Sequence, residues 1–118
     1  DASAGRLRSR IGALTGVSVG VLLNAAIGRA WRLGTVGTCI GASGLPGLLD
    51  LRGTADLYGR ALQTTEVGFA DELAAAASAV MGQSGEGRPV VLIRGAALLR
   101  TDGNARELQR SRDKDLFR

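Results

Sequence analysis

The chain has 118 residues, 45% of them apolar, which suits a single domain with a real core. Aromatics make up only 3%, so that core must be built from Ala, Leu, Val and Ile, and eighteen glycines favour close backbone packing and many turns. The formal charge is +4 with one cysteine and no histidine, which excludes an internal disulfide, Ser-His or Cys-His catalysis, and zinc sites built on Cys or His.

The charge is uneven: residues 1–32 hold five Arg against one Asp, residues 33–99 four Arg against six acids, and residues 100–118 six bases against four acids. The basic ends alternate in sign and carry few aromatics, so they read as solvated surface rather than as a nucleic-acid stripe. No apolar run approaches the roughly 18 residues of a membrane helix, and no signal peptide opens the chain. A cytoplasmic protein is expected. The chain starts on Asp1 and its only methionine is Met81, which reads as a processed or excised piece.

Ala2 to Leu14 is expected to form an amphipathic helix, with Leu7, Ile11 and Leu14 on one side and Arg6, Arg8 and Arg10 on the other, broken at Thr15-Gly16. Val17 to Leu23 is strand-like and ended by Asn24, and Gly20 inside it suggests close approach of another backbone or a cofactor. The segment from Asn24 to Arg32 then sits where the strand leaves the sheet. Its arginines, Arg29 and Arg32, flank the only tryptophan and suit either an anion held in a fork of donors or a Trp capping the core edge with arginines stacked on it. Val36 to Ile40 reads as a strand with a small buried thiol at Cys39, Leu45-Pro46-Gly47 as a turn, and Leu48 to Leu51 as a short strand. The charged clusters Asp50-Leu51-Arg52 and Asp56 to Arg60 are expected to pair with each other. Leu62 to Val67 is a further strand-like run.

Ala70 to Gly95 is the organising stretch. An Ala-rich helix ends at Gly82, with Asp71 and Glu72 in its first turn placed to cap it. A polar, glycine-rich loop follows from Gly82 to Pro89. The run Val90-Val91-Leu92-Ile93 then reads as a strand covered on both faces. Beyond it, Asp102-Gly103-Asn104 is a turn, Ala105 to Arg110 a short helix, and Leu116-Phe117 an apolar pair suited to docking. Helices and strands do not alternate strictly, so the fold class is α+β, a mixed sheet with packed helices. Residues 1–100 form the domain portion and 101–118 a closing segment or linker.

The runs GRAWRLG, IGASGLPGLLDLRGTADLYGRALQTTEVGFADELAAAASAVMG, RPVVLIRG and DGNARELQRSRDKDLFR, in that order, resemble the coenzyme F420:L-glutamate ligase family, matching its C-terminal portion. The resemblance implies a GTP-dependent ligase that adds L-glutamate to the deazaflavin coenzyme F420 precursor through an acyl phosphate, with manganese or magnesium neutralising the phosphates. It also implies homodimers. By the same resemblance, Met81, Gly82, Gln83, Ser84, Gly85, Glu86, Gly87 and Arg88 form the nucleotide loop, with Gln83 a metal ligand, and Gly28-Arg29 and Trp31-Arg32 match the GRxWR signature. The family's other metal-binding Asp and Thr are replaced by Ala25 and Ala26, whose methyl groups cannot ligate a hard cation. Two further expectations stand beside a ligase: a degenerate, non-catalytic homologue acting as a structural or nucleotide-binding module, and a nucleotide-binding regulatory domain.

Overall fold

The computed structural model describes residues 1–96 and 100–115. Its first helix, α1 (Ala2–Thr15), ends where Gly16 turns left-handed at φ 71° and returns its N–H to the Gly12 carbonyl. The face of α1 turned inward is the small one: Ala4 is fully buried, Gly5 lies against Ser43, and Arg8 lays its stem down to donate to the Val19 carbonyl. The expected apolar stripe is not the packed face, since Leu7 and Leu14 are exposed. Small side chains win because they let the helix axis come closer to the strands below.

Those strands form one antiparallel hairpin, β1 (Val21–Arg29) and β2 (Arg32–Ser43). Pairing runs through Asn24↔Cys39, Ala25↔Thr38, Ala26↔Gly37 and Gly28↔Thr35, and closes at Arg29↔Arg32 around Ala30-Trp31. The strand expected at 17–23 is therefore displaced, and the segment from Asn24 to Arg29 lies inside the strand rather than beyond its end. Its Ala and Gly residues have weak strand propensity, but the glycine-dense partner β2 supplies the ladder. Gly20 lies outside the strand, yet its close approach is real: a Cβ there would stand 3.1 Å from the Gly44 carbonyl oxygen.

The second helix, α2 (Phe69–Met81), crosses the hairpin on a stripe of small residues. Ala70, Ala74, Ala77 and Ser78 are buried at helical spacing. They press on Gly37, where a Cβ would come within 2.5 Å of both the Ala74 carbonyl oxygen and the Ser78 Cβ. Asp71 does not cap α2. Its carboxylate instead accepts the Cys39 N–H of β2 at 2.8 Å, and no side chain caps that helix end. A second small sheet pairs β3 (Leu49–Asp50) with β4 (Glu66–Val67), so the strand expected over 62–67 is confined to its last two residues.

The core gathers Cys39, Ala42, Leu45, Ala70, Ala74 and Ala105, flanked by Leu22, Leu73 and Leu108. Ala105 starts a single 3₁₀ turn, Ala105–Leu108, in place of the expected helix to Arg110. Two carboxylates stitch this end to the rest. Asp1 accepts the N–H groups of Ala42 and Ala105, each at 2.9 Å. Glu107 accepts those of Gly47 and Leu48 while paired with Arg100.

Two more expectations are corrected. Val90 to Ile93 is not a strand: among the described residues it has no ladder partner, and Val90, Leu92 and Ile93 are exposed. An apolar β-branched run becomes a strand only where a neighbour takes up its backbone groups. The two charged clusters pair within themselves, Arg52 with Asp50 and Arg60 with Asp56, because residues two to four apart meet before distant ones do. Arg52 also reaches Glu66 at 3.5 Å, across the β3–β4 pair. Leu116-Phe117 lies outside the described residues. The architecture is α+β, and no described helix is long and apolar enough to cross a membrane.

Candidate nucleotide loop and the hairpin beneath it

Residues 81–88 leave the last turn of α2 at Gly82, whose φ of 75° and ψ of 175° take the chain sharply off the helix while its N–H still bonds the Ser78 carbonyl. Gln83 then turns back onto the hairpin. Its Oε1 accepts from the Thr35 hydroxyl, and its Nε2 donates to the Thr35 carbonyl at 3.5 Å and to the Ser78 hydroxyl at 3.3 Å. One amide thus joins loop, strand and helix. Thr35 pairs with Gly28, one rung before the arginine pair that closes the hairpin. The GRxWR segment and the loop therefore belong to the same end of the molecule.

The loop holds a charge of its own. Glu86 Oε2 accepts the Ser84 N–H at 2.8 Å. The Ser84 amide, followed by Glu86's own amide, holds this carboxyl below the usual glutamate range against the opposing effect of desolvation. Arg88 donates to the Val80 carbonyl at 3.3 Å, covering the partially negative end of the α2 dipole that would otherwise repel an anion. An open depression of about 420 Å³ lies here, lined by Met81, Gly82, Ser84, Gly87, Arg88 and Pro89.

Arg29 and Arg32 are exposed at the hairpin tip and form no side-chain hydrogen bond or ion pair with a described residue. Trp31 between them stands 94% exposed at φ 56°, so it caps no core edge. Among the described residues no cation stacks on it either, the cation–π contact there being Arg60 over Tyr58. A non-glycine residue in the left-handed region is uncommon, and a two-residue connection between Arg29 and Arg32 demands it here.

The residues present do not fit a divalent metal. Such a cation takes about six oxygen ligands, carboxylates among them. Gln83 Oε1 is committed to Thr35, Ala25 and Ala26 offer methyl groups opposite Thr38 and Gly37, and no cluster of three His, Cys, Asp or Glu occurs among the described residues. Asn24 Oδ1 is the one buried side-chain oxygen left without a partner among them. Its Nδ2 donates to the Ala74 carbonyl at 3.2 Å and to Met81 Sδ at 3.8 Å, tying β1 to the start of the loop. What the loop offers instead is a backbone donor, the Ser84 N–H now bonded to Glu86, beside an open depression.

Thr35 and Ser78 support the loop without having been singled out in the sequence, and Asn24, read there as the end of a strand, supports it too. Ser78 was findable, as the one polar residue on the buried stripe of α2. Thr35 and Asn24 were not, since their roles depend on a hairpin register that glycines and alanines conceal. Cys39 is buried as expected; burial raises its thiol pKa, which keeps it protonated and unreactive.

Comparison with known proteins adds descent to this geometry. The family model described as F420-0:Gamma-glutamyl ligase matches residues 1–95. The chain is 52% identical over 118 residues to the coenzyme F420:L-glutamate ligase of Methanococcus maripaludis strain C7, covering all of this chain and 48% of that protein. Likewise named relatives from Methanocaldococcus jannaschii and Archaeoglobus fulgidus are 49% and 44% identical, each again over the whole chain and 47% of the relative. The chain spans about half the length of the curated relatives it matches.

Proposed function

The chain belongs to the F420-0:gamma-glutamyl ligase family, and from that premise we propose that it is the phosphate-holding portion of a GTP-dependent ligase joining L-glutamate to the deazaflavin coenzyme F420 precursor. In that reaction a carboxylate oxygen of the precursor attacks the γ-phosphorus of GTP, releasing GDP and leaving an acyl phosphate. The amine of L-glutamate then attacks the acyl carbon, an amide forms, and inorganic phosphate leaves. The share of this chain is to hold and orient the phosphates, and positioning supplies much of the catalysis in phosphoryl transfer.

The observation that carries the reading is the loop at residues 82–88. It already binds an anion through a backbone N–H, that of Ser84, and is anchored to the hairpin through Gln83. Manganese or magnesium would lower the charge repulsion among the phosphates, but the described residues offer it no carboxylate set. The chain by itself therefore binds GTP without turning it over.

Incubation with GTP, manganese, L-glutamate and the precursor is expected to yield no glutamylated product, while equilibrium dialysis with labelled GTP shows retention. Glutamylated product would overturn the first half of the proposal, and absence of GTP retention the second. One observation favours a second reading, a non-catalytic homologue that keeps the nucleotide loop alone: Ala25 and Ala26 present only methyl groups on the strand beside it.

A further inference from the structure

We propose that the Glu86 carboxylate is a resident anion occupying the phosphate cradle of the loop, and that an incoming phosphate chain binds by displacing it. The inference rests on the nucleotide-loop reading above and deepens it. Glu86 Oε2 lies 2.8 Å from the Ser84 nitrogen. The same carboxyl group folds over Gly82 so closely that a Cβ there would stand 2.2 Å from Glu86 Cδ. It thus spans the loop from its entry at Gly82 to its centre at Ser84.

A phosphate oxygen and a carboxylate oxygen seek the same donors with the same charge, so they cannot share the cradle. The loop's one cation does not hold Glu86 in place, because Arg88 is turned to the Val80 carbonyl and forms no ion pair with it. The plug is therefore held by the Ser84 N–H, and Glu86 swings clear by side-chain rotation with no change in the loop path. In the free protein it keeps that N–H satisfied. In the loaded protein it lies outside the cradle, beside a polyanion it repels. Glu86 is accordingly a residue that sets nucleotide affinity rather than one that reacts.

The test is calorimetric titration of inorganic tripolyphosphate into the chain, its Glu86→Gln variant and, as a control for net charge, Glu72→Gln in the exposed first turn of α2. Glutamine keeps the length of the side chain and removes the charge. Glu86→Gln is expected to bind about five- to tenfold more tightly than the parent, the effect of removing one screened like charge a few ångströms from the ligand. Glu72→Gln is expected to match the parent. Amide NMR adds an independent readout, since saturating tripolyphosphate must move the Ser84 N–H resonance of the parent as the carboxylate leaves. Equal affinity of the parent and Glu86→Gln would overturn the proposal and leave the nucleotide loop standing, as would an equal gain in Glu72→Gln. Failure of every chain to bind tripolyphosphate would overturn the loop reading and the proposal together.

Discussion

Replacing Gly37 by alanine puts the packing argument to its hardest test. The added Cβ would lie 2.5 Å from the Ala74 carbonyl oxygen, 2.5 Å from the Ser78 Cβ and 2.8 Å from the Asn24 Oδ1. Ordinary contact between such atoms is about 3.5 Å, so the overlap is about an ångström on each. The Ala74 oxygen is helix backbone and cannot rotate away, and moving α2 outward costs contact along the whole Ala70–Ala74–Ala77 stripe. Overpacking of this kind costs about 1–3 kcal/mol, or a fall in Tm on the order of 5–15 °C for a domain of this size. Circular dichroism melts measure it directly. Gly28→Ala is the matched control, on the paired strand of the same hairpin, where nothing lies within 4 Å of the new Cβ. If Gly37→Ala melts with the parent, as Gly28→Ala is expected to, α2 does not rest on β2 at this point.

Further outcomes follow from the same contacts. Asp1→Ala leaves the Ala42 and Ala105 amides without an acceptor, costing about 1–3 kcal/mol for each that stays buried, and hydrogen exchange should speed up at both. Glu107 titrates below its ordinary value of 4.5: burial alone would raise it, but Arg100 and the Leu48 and Gly47 amides together outweigh burial. A depressed folded-state value means the stabilisation is complete above the unfolded-state pKa and is lost as pH falls through the folded one, so Glu107→Gln should flatten the acid limb of the stability curve; an unchanged acid limb would refute the staple. Iodoacetamide should label Cys39 slowly in the folded chain and readily in denaturant, given its burial and raised pKa. Gln83→Ala severs the loop from Thr35 and Ser78 and is expected to weaken GTP retention severalfold with little change in Tm, as suits an exposed hydrogen-bonding side chain.

The elements legible in the sequence were those whose signal is local. The α2 helix announces itself through an alanine run closed by Gly82, and α1 through its stop at Gly16. The α+β class follows from the unequal mix of such segments. What was hidden depends on partners. The hairpin reaches Arg29 because β2 lies opposite, not because Asn24-Ala25-Ala26 prefers a strand. Conversely, Val90 to Ile93 has every local mark of a strand, yet no described neighbour completes it. Helix faces misled for a related reason. In a chain so poor in large side chains, the packed side of α1 is the one that lets backbones touch, at Ala4 and Gly5, while Leu7 and Leu14 point away.

The loop shows the same division between what residues are and what they meet. A glycine-rich segment after a helix is readable as an anion cradle, but its proximity to the GRxWR run and the order of effects inside the cradle are not. Gln83, expected as a metal ligand, also braces the loop: its amide accepts from the Thr35 hydroxyl and donates to the Ser78 hydroxyl. Glu86 has the wrong charge for a phosphate site by composition, and for that reason its contact with Ser84 is informative. An anion settled on a backbone donor demonstrates the donor's availability, which a neutral side chain in its place would conceal. The methyl groups of Ala25 and Ala26 leave this property untouched, because a backbone N–H survives side-chain substitution. On the proposed reading, phosphate holding rests with the path of residues 82–88 and metal-assisted transfer with side chains on the strand beside it, so the two are separable.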